Sequence, residues 1–192
     1  MDVINIKIPI ELIKVKDPDN IVRYRATISF QNAIDEPIST QKLIEIQNNY
    51  DTTIEECKKV YEHIKNNKRN QSNPIFRWEL ANKIFLFVKD LENNGYIFAN
   101  FTDAMTRDLE LSQTYVNKLL TLRRYYPSKD MLNTNINWSK YREILEISNQ
   151  DYREKCVARI ITGEIKTERQ IREFKREIKK AKMYKILKNG KT

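Results

Sequence analysis

Glycine is absent from the first 94 residues of this chain and occurs only three times in all 192, while proline occurs five times. All-β folds need frequent turns, and turns depend heavily on these two residues. Their scarcity therefore argues against an all-β fold and favours a helical one. At this length the chain forms one or two small domains with room for a hydrophobic core.

The first 30 residues are the exception to the helical pattern. INIKIPI (4–10) and VRYRATISF (22–30) alternate apolar and polar residues, which predicts two strands, and KDPDN (16–20) between them predicts a turn. Two strands alone are marginally stable, so we expect this hairpin to pack on the rest of the chain or on a second copy.

Helical signals follow the hairpin. Ser39 or Thr40 is predicted to cap a short helix, and Thr53 with Glu56 forms a capping box that predicts the start of a second one. The segment NNKRNQSN (66–73) contains no apolar residue and is the predicted linker.

The next helix has the clearest boundaries in the sequence. Ser72 or Asn73 is suited to its N-cap, Pro74 to its first turn, and Gly95 to the position just past its end. Its predicted apolar face comprises Trp78, Ile84, Phe85, Val88 and Leu91.

The stretch TRDLELSQTYVNKLLTLRRYYP (106–127) contains two apolar-periodic runs joined by a few residues. A helix-turn-helix requires two short helices locked at a fixed angle by a few apolar side chains. Ser112 is placed to cap the second helix with its hydroxyl. The residues predicted to form the lock are Met105, Leu109, Leu111, Val116 and Leu119.

With that inner face fixed, a set of polar residues on the second helix is expected to point outward. Gln and Asn side chains pair with adenine, Lys with phosphate or guanine, and Thr with either. Arg123 and Arg124 follow on the same helix, where they would grip the DNA backbone or remain solvated. The predicted DNA-binding residues of this segment are Ser112, Gln113, Thr114, Asn117, Lys118, Thr121, Arg123 and Arg124.

Two residues depart from the usual pattern of such a motif. Thr106 stands where a small residue, most often alanine, is common, and Glu110 stands where glycine often permits the turn. Glu110 must accept an unfavourable backbone conformation or a different turn, and it brings negative charge near DNA. The alternative interpretation, two core helices with a polar exterior, remains open.

FTDAMTRDLELSQTYVNKLLTLRRYYP (101–127) resembles the helix-turn-helix of ParB/KorB-type plasmid partition proteins, in which a serine-aromatic-valine run opens the recognition helix. INWSKYREILEI (136–147) resembles the helix that follows it in that family, and YREKCVARIITGEIKTERQIREF (152–174) resembles their closing stretch. The same region is also similar to the N-terminal helical domain of YhcG-type proteins, which precedes a nuclease domain. The resemblances cover about residues 75–175 and imply a double-stranded DNA partner.

Some family properties are not expected here. ParB proteins bind and hydrolyse CTP through a glycine-containing, arginine-rich motif, and no Gly-x-Arg-Arg occurs in this chain. A YhcG-type nuclease would need clustered carboxylates with a lysine on a sheet, and the EIK and EFK triplets near the C-terminus are what a Lys/Glu-rich helix produces by chance. We therefore predict neither a CTPase nor a nuclease.

The C-terminal segment is strongly basic. Residues 164–192 hold eleven Lys/Arg against four Glu, so seven of the nine net positive charges lie there. This indicates a polyanionic partner, or a solvated helix that keeps the protein soluble. Thr167 with Gln170 forms a capping box, and the predicted apolar stripe is Ile171, Phe174, Ile178 and Ala181. The residues predicted to face phosphates are Lys175, Arg176, Lys179, Lys180 and Lys182.

Other classes of site find little support. Cys57 and Cys156 are 99 residues apart and His63 is the single histidine, which excludes the usual zinc spacings and argues against His-based catalysis. The longest apolar run, 84–88, is too short to span a bilayer. We predict a non-enzymatic protein without metal or cofactor, cytoplasmic and associated with the nucleoid or a plasmid.

The sequence thus predicts a mainly α helical bundle that contains a helix-turn-helix and a short N-terminal β-hairpin. The predicted divisions are an N-terminal segment (1–70) for oligomerisation or partner contact, a helix-turn-helix DNA-binding domain (71–165) and a basic C-terminal helix (166–192). The predicted function is DNA binding in plasmid or viral partition, replication or transcription control, with a homodimer left open. The alternative is a helical protein-interaction module without specific DNA binding.

Overall fold

The computed structural model describes residues 8–16, 22–28 and 40–189, apart from the side chains at 16, 22–24, 28, 182 and 184–189. Within these residues the protein is mainly helical with a small sheet, as predicted. The strands are β1 (Ile8–Lys16), β2 (Val22–Ile28) and β3 (Tyr96–Phe98). The helices are α1 (Thr40–Asn66), α2 (Lys68–Ser72), α3 (Pro74–Asn93), α4 (Phe101–Leu109), α5 (Gln113–Tyr125), α6 (Trp138–Ile144), α7 (Gln150–Ile161) and α8 (Glu168–Asn189), with a 3₁₀ turn at Lys129–Met131.

The sheet has the strand order β2–β1–β3. β1 and β2 form the predicted antiparallel hairpin, in which the buried residues Leu12 and Ala26 pair. β1 extends to Lys16, beyond the predicted strand 4–10, and residues 4–7 and most of the predicted turn lie outside the described residues. The sequence does not predict β3, because three residues are too few to show a period; it pairs in parallel with β1.

Residues 40–66 form one helix, so the prediction of two helices with a capping box at Thr53 and Glu56 is wrong. Thr53 Oγ1 donates a 2.8 Å hydrogen bond to the backbone oxygen of Asn49, one turn earlier. Threonine can make this bond inside a helix as well as cap one. An apolar stripe that crosses the predicted break holds the helix; its buried members are Ile46, Tyr50, Ile54, Cys57 and Ile64.

The predicted linker at 66–73 contains the short helix α2. The prediction for α3 is confirmed at both ends. Asn73 Oδ1 accepts a 3.0 Å hydrogen bond from the backbone N–H of Ile75, and Pro74 is the first helical residue. Gly95 follows the helix with a φ of +85°, a conformation that glycine adopts without steric cost.

The buried side chains form two hydrophobic clusters that meet at α5. The first joins the sheet with α1, α3 and α4, and the second joins α6, α7 and α8. α5 contributes Val116 and Leu119 to the first cluster and Leu122 to the second, and Tyr115 packs against both. α5 is therefore held by packing from both clusters.

α8 begins as predicted. The backbone N–H of Gln170 donates to Thr167 Oγ1 at 3.3 Å, and Gln170 Oε1 accepts from the backbone N–H of Thr167 at 3.1 Å. Ala181, the predicted last member of the apolar stripe, is exposed, so only the first half of the helix packs on the body. The stripe residues that do pack are Ile171, Phe174 and Ile178.

Candidate nucleic-acid interface

α4 and α5 are joined by residues 110–112 in a tight turn. Ser112 adopts an extended conformation, and its hydroxyl accepts a 3.3 Å hydrogen bond from the backbone N–H of Tyr115, which confirms the predicted cap. Glu110 takes up the left-handed conformation with φ 55°, so the turn keeps its usual geometry despite the absence of glycine. The five residues predicted to lock the two helices are all buried: Met105, Leu109, Leu111, Val116 and Leu119.

Buried polar contacts fix α4 against the sheet and α1. The fully buried Asp108 carboxylate accepts a 2.6 Å hydrogen bond from the Tyr50 hydroxyl and pairs with the Arg107 guanidinium. Arg107 Nη2 also donates to the backbone oxygen of Leu12, at 3.0 Å. A buried charge is stable only when it is paired and hydrogen-bonded in this way, so this contact has one defined geometry.

Tyr115 fixes the beginning of α5. Its hydroxyl group lies near the buried Arg77 side chain, and its ring lies 6.3 Å from Tyr61 and 6.1 Å from Trp138, centroid to centroid. Burial raises the pKa of Tyr115, and Arg77 partly opposes that shift. Arg77 in turn donates to the backbone oxygens of Asn70 and Asn73. The start of α5 is thereby tied to α1, α3 and α6.

The outer face of α5 is polar and carries little charge. Gln113, Thr114 and Asn117 are exposed, as predicted. Thr121 is half-buried, and its hydroxyl donates a 2.8 Å hydrogen bond to the backbone oxygen of Asn117. The exposed side chains at the start of this face are thus amides and a hydroxyl, which form hydrogen bonds with base edges.

Lys118 does not point outward as predicted. Its side chain is 18% exposed, and its ammonium group donates to Glu146 Oε1 at 2.8 Å and to the backbone oxygen of Arg142 at 2.9 Å. The sequence prediction placed Lys118 on the outer face by helical periodicity, but the side chain is long enough to turn towards the carboxylate that follows α6. Lys118 therefore links α5 to the α6 region.

The two arginines near the end of α5 differ from each other. Arg123 lies against α3, where its Nε donates to Asn82 Oδ1 at 2.8 Å and its guanidinium stands 4.3 Å from the Phe85 ring centroid. Arg124 is exposed. Of this pair, only Arg124 presents its charge to solvent.

The basic residues of α8 also fall into two groups. Lys175 is 15% exposed and pairs with Glu143 at 2.5 Å and Glu146 at 2.6 Å. Arg176, Lys179 and Lys180 are exposed, and none of them forms an ion pair with any residue that the structure describes. The side chain of Lys182 lies outside the described residues.

Glu146 connects the two basic helices, because each of its oxygens accepts one lysine, Lys118 from α5 and Lys175 from α8. Burial of Glu146 opposes its ionisation, but the hydrogen bonds from both lysines outweigh this and lower its pKa to about 2. The α5 and α8 ammonium groups therefore stand on either side of one carboxylate, which links the two helices.

Sequence reasoning missed two arginines that lie beside this ionic contact. Arg172 pairs with Glu143 at 3.0 Å, and the exposed Arg142 lies beside Lys118. Part of the signal is present in the sequence: Glu143 on α6 and Glu146 just after it are spaced by three, as are Arg172 and Lys175 on α8. Side-chain pairing between helices nevertheless depends on their docking, which spacing alone does not specify.

The described residues offer neither a reactive thiol nor a metal site. Burial raises the pKa of the Cys57 thiol to about 12 and that of Cys156 to about 11, so both free thiols are protonated at neutral pH and are poor nucleophiles. No three His, Cys, Asp or Glu side chains of this part of the chain come together as a metal site requires. None of its helices is long and apolar enough to cross a membrane.

In comparisons with known proteins, no protein-family model, characterised protein or solved structure matches the chain.

Proposed function

We propose that this protein binds double-stranded DNA, with α5 in the major groove and α8 along the sugar-phosphate backbone. The observation that carries the proposal is the exposed face of α5, held from behind by buried residues and joined through Glu146 to the basic face of α8. A helix of 13 residues is about 20 Å long and enters a major groove about 12 Å wide. Gln113, Thr114 and Asn117 then meet the base edges.

The two helices have different tasks in this proposal. Amide side chains on α5 distinguish base pairs by hydrogen bonds, whereas Arg176, Lys179 and Lys180 neutralise phosphates without regard to sequence. The resemblance of residues 101–127 to ParB/KorB-type proteins supports a role in plasmid or viral partition, replication or transcription control, in association with the nucleoid or a plasmid. A homodimer would read two half-sites about 34–36 Å apart.

The test is selection of duplexes from a random library, followed by fluorescence anisotropy of the selected duplex and a scrambled one at two salt concentrations. We expect a preference for the selected duplex that persists at the higher salt. The double variant Gln113→Ala/Asn117→Ala should lose that preference while remaining folded.

The matched control is Gln41→Ala/Asn48→Ala, the same pair of substitutions at exposed positions of α1. Equal binding of selected and scrambled duplexes that disappears at higher salt would refute base reading by α5. Equal loss of preference in both double variants would place the reading surface elsewhere.

A groove beside α7 favours the second candidate function, a protein-interaction module. It has a volume of about 790 Å³ and lies between the end of α5 and α7. Two large apolar side chains lie exposed in its lining, Met131 at 55% and Ile161 at 59%. If this candidate is correct, the protein prefers no duplex, and Ile161→Arg prevents its assembly with the partner. Sedimentation of the purified chain tests the simplest partner, a second copy.

A further inference from the structure

A cavity of about 330 Å³ lies between α8 and the segment that joins α6 to α7. Four cationic side chains of one α8 face, at positions i, i+3, i+4 and i+7, line one wall, and Glu146 and Tyr152 lie opposite. The volume falls in the range of small-ligand sites. The cations of this wall are Arg172, Lys175, Arg176 and Lys179.

The Glu146 carboxylate lies where an anionic ligand would bind. It accepts Lys118 at 2.8 Å through one oxygen and Lys175 at 2.6 Å through the other. A phosphate monoester or a pyrophosphate offers more acceptor oxygens and more negative charge than a carboxylate, so it is the stronger partner for two converging ammonium groups, whereas a phosphodiester of the DNA backbone equals the carboxylate in charge. The Glu146 side chain is 51% exposed, so it can turn into solvent when it is replaced.

The charges around the cavity favour this exchange. Within the described residues, Arg176 and Lys179 have no ion-pair partner, whereas Arg172 and Lys175 are paired with Glu143. When the phosphate enters and Glu146 turns into solvent, the negative charge of the phosphate lies beside two unpaired cations. Glu143 remains to hold Arg172 and Lys175 in position.

We propose that this cavity is a phosphate-binding site, in which a phosphate group replaces the Glu146 carboxylate as the acceptor for Lys118 and Lys175 while Arg176 and Lys179 neutralise the remaining charge. Glu146 is then an internal competitor that keeps the site occupied in the free protein. The phosphate belongs either to a DNA strand, in which case the inference rests on the proposed function, or to a free phosphate ester.

The test is titration with sodium pyrophosphate at constant ionic strength, followed by ¹H–¹⁵N NMR of the backbone amides of residues 146–152 and 170–180. Glu146→Gln keeps the size of the side chain but removes the competing charge. We expect it to bind pyrophosphate about tenfold tighter than the wild type, because the single amide oxygen of Gln can accept only one of the two lysines and at least one charged hydrogen bond no longer has to be broken. Arg176→Ala/Lys179→Ala should abolish the response.

Glu154→Gln is the matched control, because it changes the net charge equally at an exposed position on α7 that does not line this cavity. Equal affinities of the Glu146 and Glu154 variants, or shifts spread evenly over all basic surfaces, would overturn the site. Either result would mean that pyrophosphate is attracted by the general positive charge of the protein and not by a defined site.

Duplex DNA distinguishes the two sources of phosphate. Competition between duplex and pyrophosphate assigns the site to the DNA backbone, and simultaneous binding of both assigns it to a free phosphate ester. If the duplex does not bind but pyrophosphate does, the proposed function fails and the site stands. If the duplex binds and no variant takes pyrophosphate in the cavity, the site fails and the proposed function stands.

Discussion

α5 and α8 are linked through Glu146, but they are held in different ways. α5 packs into both hydrophobic clusters, and Tyr115 ties its beginning to three other helices. α8 packs only through its first half, and past Ile178 the described side chains are exposed. The difference corresponds to the two tasks proposed for them, because hydrogen bonding to bases requires a fixed position, whereas attraction to phosphates does not.

The largest effect expected from this comparison is on stability. Leu119→Ala removes a fully buried side chain of α5 and should lower the free energy of unfolding by about 2–5 kcal/mol. Ile178→Ala on α8 removes a half-buried one and should cost about 1 kcal/mol, since alanine also favours the helix. Urea unfolding measures both. Equal losses would mean that the two helices are held equally firmly.

The next effect concerns the salt dependence of DNA binding. If each residue meets one phosphate, Arg176→Ala/Lys179→Ala/Lys180→Ala should reduce the slope of log affinity against log salt by up to about 2.7, about 0.9 for each. Selected and scrambled duplexes should be weakened alike. The control is Lys58→Ala/Lys59→Ala/Lys68→Ala, which removes the same charge from exposed positions of α1 and α2. A comparable slope change in this control would contradict a specific role for α8.

A smaller effect is expected at the turn before α5. Glu110 has a φ of 55°, where a side chain is strained and glycine is not. Glu110→Gly should raise the free energy of unfolding by about 1 kcal/mol and, by removing a negative charge beside α5, should also tighten DNA binding. Glu110→Ala removes the charge but keeps the strain. Thermal unfolding and anisotropy of both variants separate the two contributions. Equal stability of the two variants would show that the backbone at residue 110 is not strained by a side chain.

The elements that sequence predicts well are those with local signals. Asn73, Pro74 and Gly95 mark α3, and Ser112 marks the start of α5, because caps and turns are set by neighbouring residues. The break predicted at Thr53 fails because the same hydroxyl can cap a helix or bond back within one, and burial along α1 decides between them.

The candidate site is predictable in its exposed amides and only in part in its charged residues. Gln113 and Asn117 are on the outer face because the helical period places them there. Lys118 and Lys175 do not present their charge as predicted, because each pairs with Glu146, which lies just after α6. Such pairs depend on how α5, α6 and α8 dock, and docking is determined by the whole core rather than by local sequence.

The smallest predicted effect concerns Glu146, the carboxylate between α5 and α8. Its pKa is lowered from 4.5 to about 2, so its contribution to stability is complete above about pH 4.5 and is lost as the pH falls towards 2. Glu146→Gln should lack this part of the pH dependence of the free energy of unfolding, measured by urea unfolding across that range. Because the side chain is half exposed, we expect less than about 1 kcal/mol.

Glu154→Gln serves again as the control, since it removes an exposed carboxylate that pairs with neither Lys118 nor Lys175. If both variants show the same pH dependence, the two lysines do not hold Glu146 in solution, and α5 and α8 are joined by apolar packing alone. If only Glu146→Gln differs, the fixed helix and the partly packed helix are linked by an ionic contact through Glu146.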